Sequence, residues 1–122
     1  MIMSDKKLGA IEARFADMIW ENEPVGSGDL VAMCARTLNW KKSTTYTVLR
    51  RLCERGIFQN REGIVTSLIS RQDYYAIQSE QFIEETFSGS LPGFLASFTT
   101  RKKLSEQEIE ELERLIEENR RR

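Results

Sequence analysis

The hydrophobic period of this chain changes near Gly56, and that change limits its fold more than any other feature. Upstream of it, apolar residues recur at helical spacing three times. Leu8, Ile11, Phe15, Met18 and Ile19 form the first stripe, with steps of three and four that predict one buried helical face. Trp20 lies off that stripe and is expected to cover an edge of the core. "ENEPVGSG" ends the pattern with Pro24, Gly26 and Gly28 as breakers. Ser27 is placed to cap a second helix, whose stripe is Leu30, Val31, Cys34 and Leu38. "NWKK" interrupts again. A third helix is expected from near Ser43, with Thr45, Val48, Leu49, Leu52 and Cys53 on one face and Gly56 as its stop.

Beyond Gly56 the pattern turns to strand. "IFQNREGIVTSLIS" has an apolar start, a Glu62-Gly63 turn and a second run rich in Val, Ile and Thr, which predicts a β-hairpin. Three helices and then a hairpin is the order of a winged helix-turn-helix, with the third helix as the recognition element. Helical signals resume at Ser70. Ser70 with Asp73 resembles a capping box, opening a fourth helix over about Arg71 to Phe87, with Gly89 as its stop. Ser90 and Pro92 start a short apolar fifth helix. Ser105 with Glu108 forms a second capping box, and Leu104 with Ile109 a hydrophobic staple, for a last helix. The expected fold is mainly α with a small β-hairpin wing: a winged helix-turn-helix over residues 1–70, then a three-helix dimerisation domain over 71–122.

Composition narrows the function. The chain of 122 residues has no His and only two Cys, Cys34 and Cys53, both on apolar helical faces. His-dependent nucleophile triads and the usual zinc or copper ligand sets are thereby removed, and no metal or cofactor is expected. Acid pairs such as Glu84-Glu85 and Glu110-Glu111 lie on solvated helix faces, so no enzyme is expected either. No stretch reaches the ~20 apolar residues of a membrane span. "MIMSDKKLGA" lacks the long apolar core of a signal peptide, and the expected location is cytoplasmic.

The net charge of −1 hides an asymmetry. From Arg36 to Arg61 there are seven basic residues and one acid, while from Gln78 onward there are seven basic and ten acidic. One half is thus suited to a polyanion. On the third helix, the core stripe turns Ser43, Thr47, Arg50 and Glu54 outward, with Thr44, Tyr46 and Arg51 flanking them. Hydroxyls at a helix N-terminus can bond phosphates or base edges. Lys41, Lys42, Arg50 and Arg51 supply sequence-independent attraction, and Arg61 at the hairpin tip is placed for a neighbouring backbone or groove. Plainer roles stand beside these: Ser43 as an N-cap, Thr45 in the core, and Lys41, Lys42 and Arg51 as solvated charges. In the second half, Phe82, Ile83, Phe87, Leu91, Phe94, Leu95 and Phe98, with the stripe Ile109, Leu112, Leu115 and Ile116, exceed what one helical hairpin can bury. A second copy of the chain, or packing back on the winged domain, would cover them.

Several segments then match one family in order. "WKKSTTYTVLRRLCERGIF", "SRQDYYAIQSEQFIEETFSGSLPGFLASF" and "LSEQEIEELERLIEE" resemble the penicillinase-repressor family (BlaI, MecI and CopY relatives) over nearly the whole chain. The resemblance implies a homodimeric transcriptional repressor that binds palindromic operators in double-stranded DNA. It places recognition contacts on Ser43, Thr44, Tyr46 and Thr47. Ser43 and Tyr46 stand where penicillinase repressors typically carry Lys and Arg, so a different operator is implied. Many antibiotic-responsive members are cut at an Asn-Phe bond in the fifth helix, triggered by a membrane-bound sensor metalloprotease; the matching pair is Ser97-Phe98. Copper-responsive relatives carry a Cys-rich C-terminal motif, whereas this chain reads "EENRRR" there. A winged-helix module that docks an acidic protein partner, without DNA readout, is the competing expectation.

Overall fold

The computed structural model describes residues 8–122; residues 1–7, most of the segment read above for a signal peptide, lie outside the described part. The elements are α1 (Ala10–Asn22), β1 (Val25–Gly26), α2 (Ser27–Thr37), α3 (Lys42–Glu54), β2 (Phe58–Arg61), β3 (Ile64–Ser67), α4 (Arg71–Phe87), α5 (Leu91–Thr99) and α6 (Glu106–Arg120). This is the mainly helical, winged order that the period change predicts. Two compact units meet between Gln81 and Phe82, inside α4: the first ends at Gln81 and the second spans Phe82–Arg122.

In the first unit, the apolar stripes of α1, α2 and α3 converge. Phe15, Ile19, Leu30, Cys34 and Leu52 have no solvent exposure. Ile11, the second residue of the first stripe, is instead half exposed. Trp20 covers the core edge as expected. Its ring packs 5.2 Å from Phe58 and 5.8 Å from Tyr74, and its indole N–H donates to the Ile69 carbonyl at 3.1 Å. Tyr74, on the first turn of α4, is buried in this same core. Arg71 holds that turn to α1, pairing with Asp17 at 3.1 Å and Glu21 at 3.2 Å.

The wing is a three-stranded antiparallel sheet in the order β1-β3-β2, where a two-stranded hairpin was expected. β1 pairs Val25 with Val65 and Gly26 with Ile64. Two residues cannot display a period, so this strand left no alternation in the sequence. The β2–β3 loop is Glu62-Gly63, with φ of 52° and 85°. Two successive left-handed residues are what a tight two-residue hairpin demands, and Gly carries the second without a Cβ penalty.

Two capping assignments are corrected. Ser27 is the first residue of α2 and Gly26 is its N-cap. Ser43 is the second residue of α3, and extended Lys41 is the N-cap, with no side-chain capping bond. In both cases the cap lies one or two residues before the first hydroxyl, because the backbone there already has the extended ψ of a cap (140° at Gly26, 157° at Lys41). The later caps stand as read. Ser70 Oγ accepts from the Asp73 N–H at 3.0 Å, Ser90 Oγ from Gly93 at 2.9 Å, and Ser105 with Glu108 forms a complete capping box.

The second unit has no buried residue in α5 or α6. Its aromatic rings gather edge to face: Phe87 lies 5.8 Å from Phe82 and 5.5 Å from Phe94.

Candidate nucleic-acid interface

The core side of α3 fixes its outer side. Thr45, Val48, Leu49 and Leu52 are buried, at spacings that hold one face inward. Thr45 is almost fully buried, and its hydroxyl turns back to the Lys41 carbonyl at 3.4 Å. Burial pushes the nearby Cys34 thiol upward, and the Thr45 hydroxyl partly pulls it back. Lys41, Lys42, Ser43, Thr44, Thr47 and Arg50 are all exposed. Among the described residues, the hydroxyls of Ser43, Thr44 and Thr47 make no hydrogen bond. The first N–H groups of a helix lack partners within it, so an α3 start without a side-chain cap also presents backbone donors.

Two residues read as part of this face are engaged elsewhere. Arg51 pairs with Glu12 of α1 at 3.3 Å. Tyr46 is half-buried against the core, and its hydroxyl donates to Ser27 Oγ at 3.1 Å. The helical wheel placed both beside the outer face; long side chains with partners 39 and 19 residues away took them off it. Ser27 was read only as a cap, and no local pattern marks it as a partner of α3. Arg61, at the end of β2, is exposed beside the wing turn. Arg55 is half-buried.

Between α3 and β2 lies an open cleft of about 390 Å³, lined by Tyr46, Leu49, Arg50, Cys53 and Asn60. Burial raises the Cys53 thiol, with Glu54 adding to the effect. Among the described residues no group of three metal-ligating side chains exists, and no helix is long and apolar enough to cross a membrane.

In the second unit, Phe82, Phe87, Phe94, Leu95, Ile109 and Leu112 are half-buried. Leu91, Phe98, Leu115 and Ile116 are 58%, 43%, 62% and 57% exposed. α5 and α6 frame an apolar hollow of about 420 Å³ on this surface. Ser97 and Phe98, near the end of α5, are exposed, and α5 has no fully buried residue.

A helical triad with a twisted wing, and a third helix whose outer face is basic and hydroxylated, define a winged helix-turn-helix protein. The chain belongs to the penicillinase repressor family, whose model matches residues 8–118. The members of that family are DNA-binding regulators rather than enzymes. The chain is 27% identical over 115 residues to the penicillinase repressor of Bacillus licheniformis, covering 91% of this chain and 90% of that protein. It is 22% identical over 114 residues to the methicillin resistance regulatory protein MecI of Staphylococcus aureus, covering 90% and 93%. The MecI of Mammaliicoccus sciuri is 21% identical over 114 residues.

Proposed function

We propose that this repressor acts as a homodimer on palindromic operator DNA, with α3 in the major groove and residues 71–122 joining the protomers. The exposed α3 face carries the reading. Ser43, Thr44 and Thr47 have no partner among the described residues, and the uncommitted cations Lys41, Lys42 and Arg50 surround them. Short hydroxyl side chains let the helix backbone approach the base edges, and a Thr methyl can meet the thymine methyl. Arg61 of the wing reaches the flanking phosphates or minor groove. Tyr46 and Arg51, though on the same helix, serve the interface less directly, being held by Ser27 and Glu12.

The apolar surface of α5 and α6 supports the dimer. Monomers rarely leave Leu91, Leu115 and Ile116 this exposed side by side, and a two-fold axis would pair two recognition helices at the spacing of palindromic half-sites. Release belongs to the same reading: a membrane-bound sensor metalloprotease cuts at Ser97-Phe98 and removes the α6 contribution to the dimer. Ser97 and Phe98 are exposed, but the bond is helical, so α5 must first open locally.

The test is titration of the chain against duplexes from the region upstream of its own gene, with salt varied and mass measured in parallel. Salt-sensitive binding by a two-chain species is expected. The absence of salt-sensitive binding to any upstream duplex, or a protein partner that survives nuclease treatment and competes for the basic face, refutes it. Co-expression with a candidate sensor protease and its inducer, followed by mass analysis, tests release; an uncleaved chain sinks that part.

A further inference from the structure

We propose that Tyr46 and Ser27 form a relay that fixes the distance between the recognition helix and the wing, so that Tyr46 is a positioning residue and not a base contact. The inference rests on the DNA-binding reading above and assigns a role within that same site.

The relay can be followed atom by atom. The Tyr46 hydroxyl of α3 donates to Ser27 Oγ at 3.1 Å. Ser27 opens α2, and its N–H, which has no partner inside the helix, donates to the Gly63 carbonyl at 2.7 Å. Gly63 is the second residue of the wing turn, and its own N–H donates to Asn60 Oδ1 at 3.1 Å. Two residues before Gly63 stands Arg61, exposed and free to follow wherever the turn is set.

Packing does not set that position. β2 is buried only at Phe58 and emerges into solvent by Asn60 and Arg61. Between α3 and the outer part of β2 there is the open cleft of about 390 Å³, with Tyr46, Arg50 and Asn60 on its walls. Near its tip the hairpin is held by backbone pairing, Gly26 with Ile64 and the Ser27 N–H with the Gly63 carbonyl, so its position follows that of the β1–α2 corner. The Tyr46 hydroxyl ties that corner to α3, and through it Arg61 is kept in register with Thr47 and Arg50. Among the described residues, Tyr46 is the α3 side chain that bonds this wing-supporting corner, and its ring is already half-buried.

The experiment compares the full chain with Tyr46→Phe, Ser27→Ala, Arg61→Ala and the double variant Tyr46→Phe/Arg61→Ala. Two readouts are taken: affinity for the best-bound duplex and for a scrambled one, and amide hydrogen exchange at Ser27. Tyr46→Phe and Ser27→Ala are each expected to weaken both duplexes by about three- to tenfold, the worth of one hydrogen bond, with their ratio unchanged. Exchange at Ser27 should quicken by a similar factor in Tyr46→Phe. Once Arg61 is gone the relay has nothing left to position, so Tyr46→Phe should then cost less than about twofold. A changed preference at one base pair with Ser27 exchange unaltered makes Tyr46 a base contact and overturns the proposal. Full additivity of Tyr46→Phe and Arg61→Ala overturns it as well. Should the unsubstituted chain bind no duplex, the functional reading fails separately, and unaltered Ser27 exchange in Tyr46→Phe still refutes the relay. Ser27→Ala guards against a fold defect in Tyr46→Phe, since it must reproduce the same pattern from the other end of the bond.

Discussion

Salt dependence puts a number on the interface. With Arg51 committed to Glu12, the exposed cations on the α3 and wing surface are Lys41, Lys42, Arg50 and Arg61, four in each protomer. A dimer presents twice that number. If each meets one phosphate, log K against log salt should slope at about −7, from ~0.9 per phosphate neutralised on duplex DNA. Between 50 and 200 mM salt this is a loss of roughly 10⁴ in affinity. A monomer using the same surface would give a slope of about −3.6, so the slope also reports the assembly. Lys42→Ala removes one contact per protomer and should flatten the dimer slope by about 1.8, weakening all sequences alike. Arg51→Ala should change it far less, because that guanidinium already faces a carboxylate. Fluorescence anisotropy on a labelled duplex across a salt series measures all of this. A slope shallower than about −2 in the unsubstituted chain, or equal effects of Arg51→Ala and Lys42→Ala, refutes the assignment of the face.

Three other outcomes follow from the same geometry. Leu115→Asp with Ile116→Asp places charge on the exposed α6 stripe and should leave a single-chain species in sedimentation, with the first unit's circular dichroism unchanged. Phe15→Ala empties a fully buried aromatic site and should destabilise the winged unit by about 3–5 kcal/mol in denaturant titration. Ser105→Ala should cost about 1 kcal/mol of α6 stability. Glu108 accepts from the Ser105 N–H at 2.8 Å, and this bond holds its carboxyl below the ordinary 4.5. A depressed carboxyl stabilises above its unfolded value and loses that contribution as pH falls through its folded one, so this contribution should fade below about pH 4.5; its main donor is a backbone N–H, so the fading should persist in Ser105→Ala and be absent in Glu108→Gln.

Where local rules suffice, the sequence was legible. α4 was expected over Arg71 to Phe87 and spans those residues, because Ser70 and Asp73 mark its start and the chain leaves the helix before Gly89. The Glu62-Gly63 turn and the α6 capping box needed only neighbouring residues to be read. Failures came where the deciding partner is distant or the element too short. β1 exists because Val25 finds Val65, forty residues on, and nothing in "PVG" announces that. Tyr46 and Arg51 were assigned by helical angle, which gives the direction of a Cβ and not the end of a long side chain. Their hydroxyl and guanidinium found Ser27 and Glu12, and neither pairing has a local signature.

The two misplaced caps bear on how the operator is read. A capping hydroxyl is committed to its own helix, and Ser43 in that role would be withdrawn from the groove. Because Lys41 takes the cap position through backbone geometry alone, Ser43 stays uncommitted at the second residue of α3. The run Ser43 to Thr47 therefore divides in three. Thr45 turns inward to the Lys41 carbonyl and Cys34, and Tyr46 turns sideways to Ser27. Ser43, Thr44 and Thr47 remain outward. A hydroxyl can donate or accept, so each discriminates bases less sharply than a bidentate Arg on guanine. Sequence preference in such a reader must accumulate from several modest contacts, while most of the affinity comes from the surrounding cations. Thr47→Ala should accordingly relax preference at one position by about 1 kcal/mol, the low end for a base contact, and leave the salt slope untouched. A loss of slope in that variant would mean that Thr47 bonds a phosphate and that the bases are read by other residues.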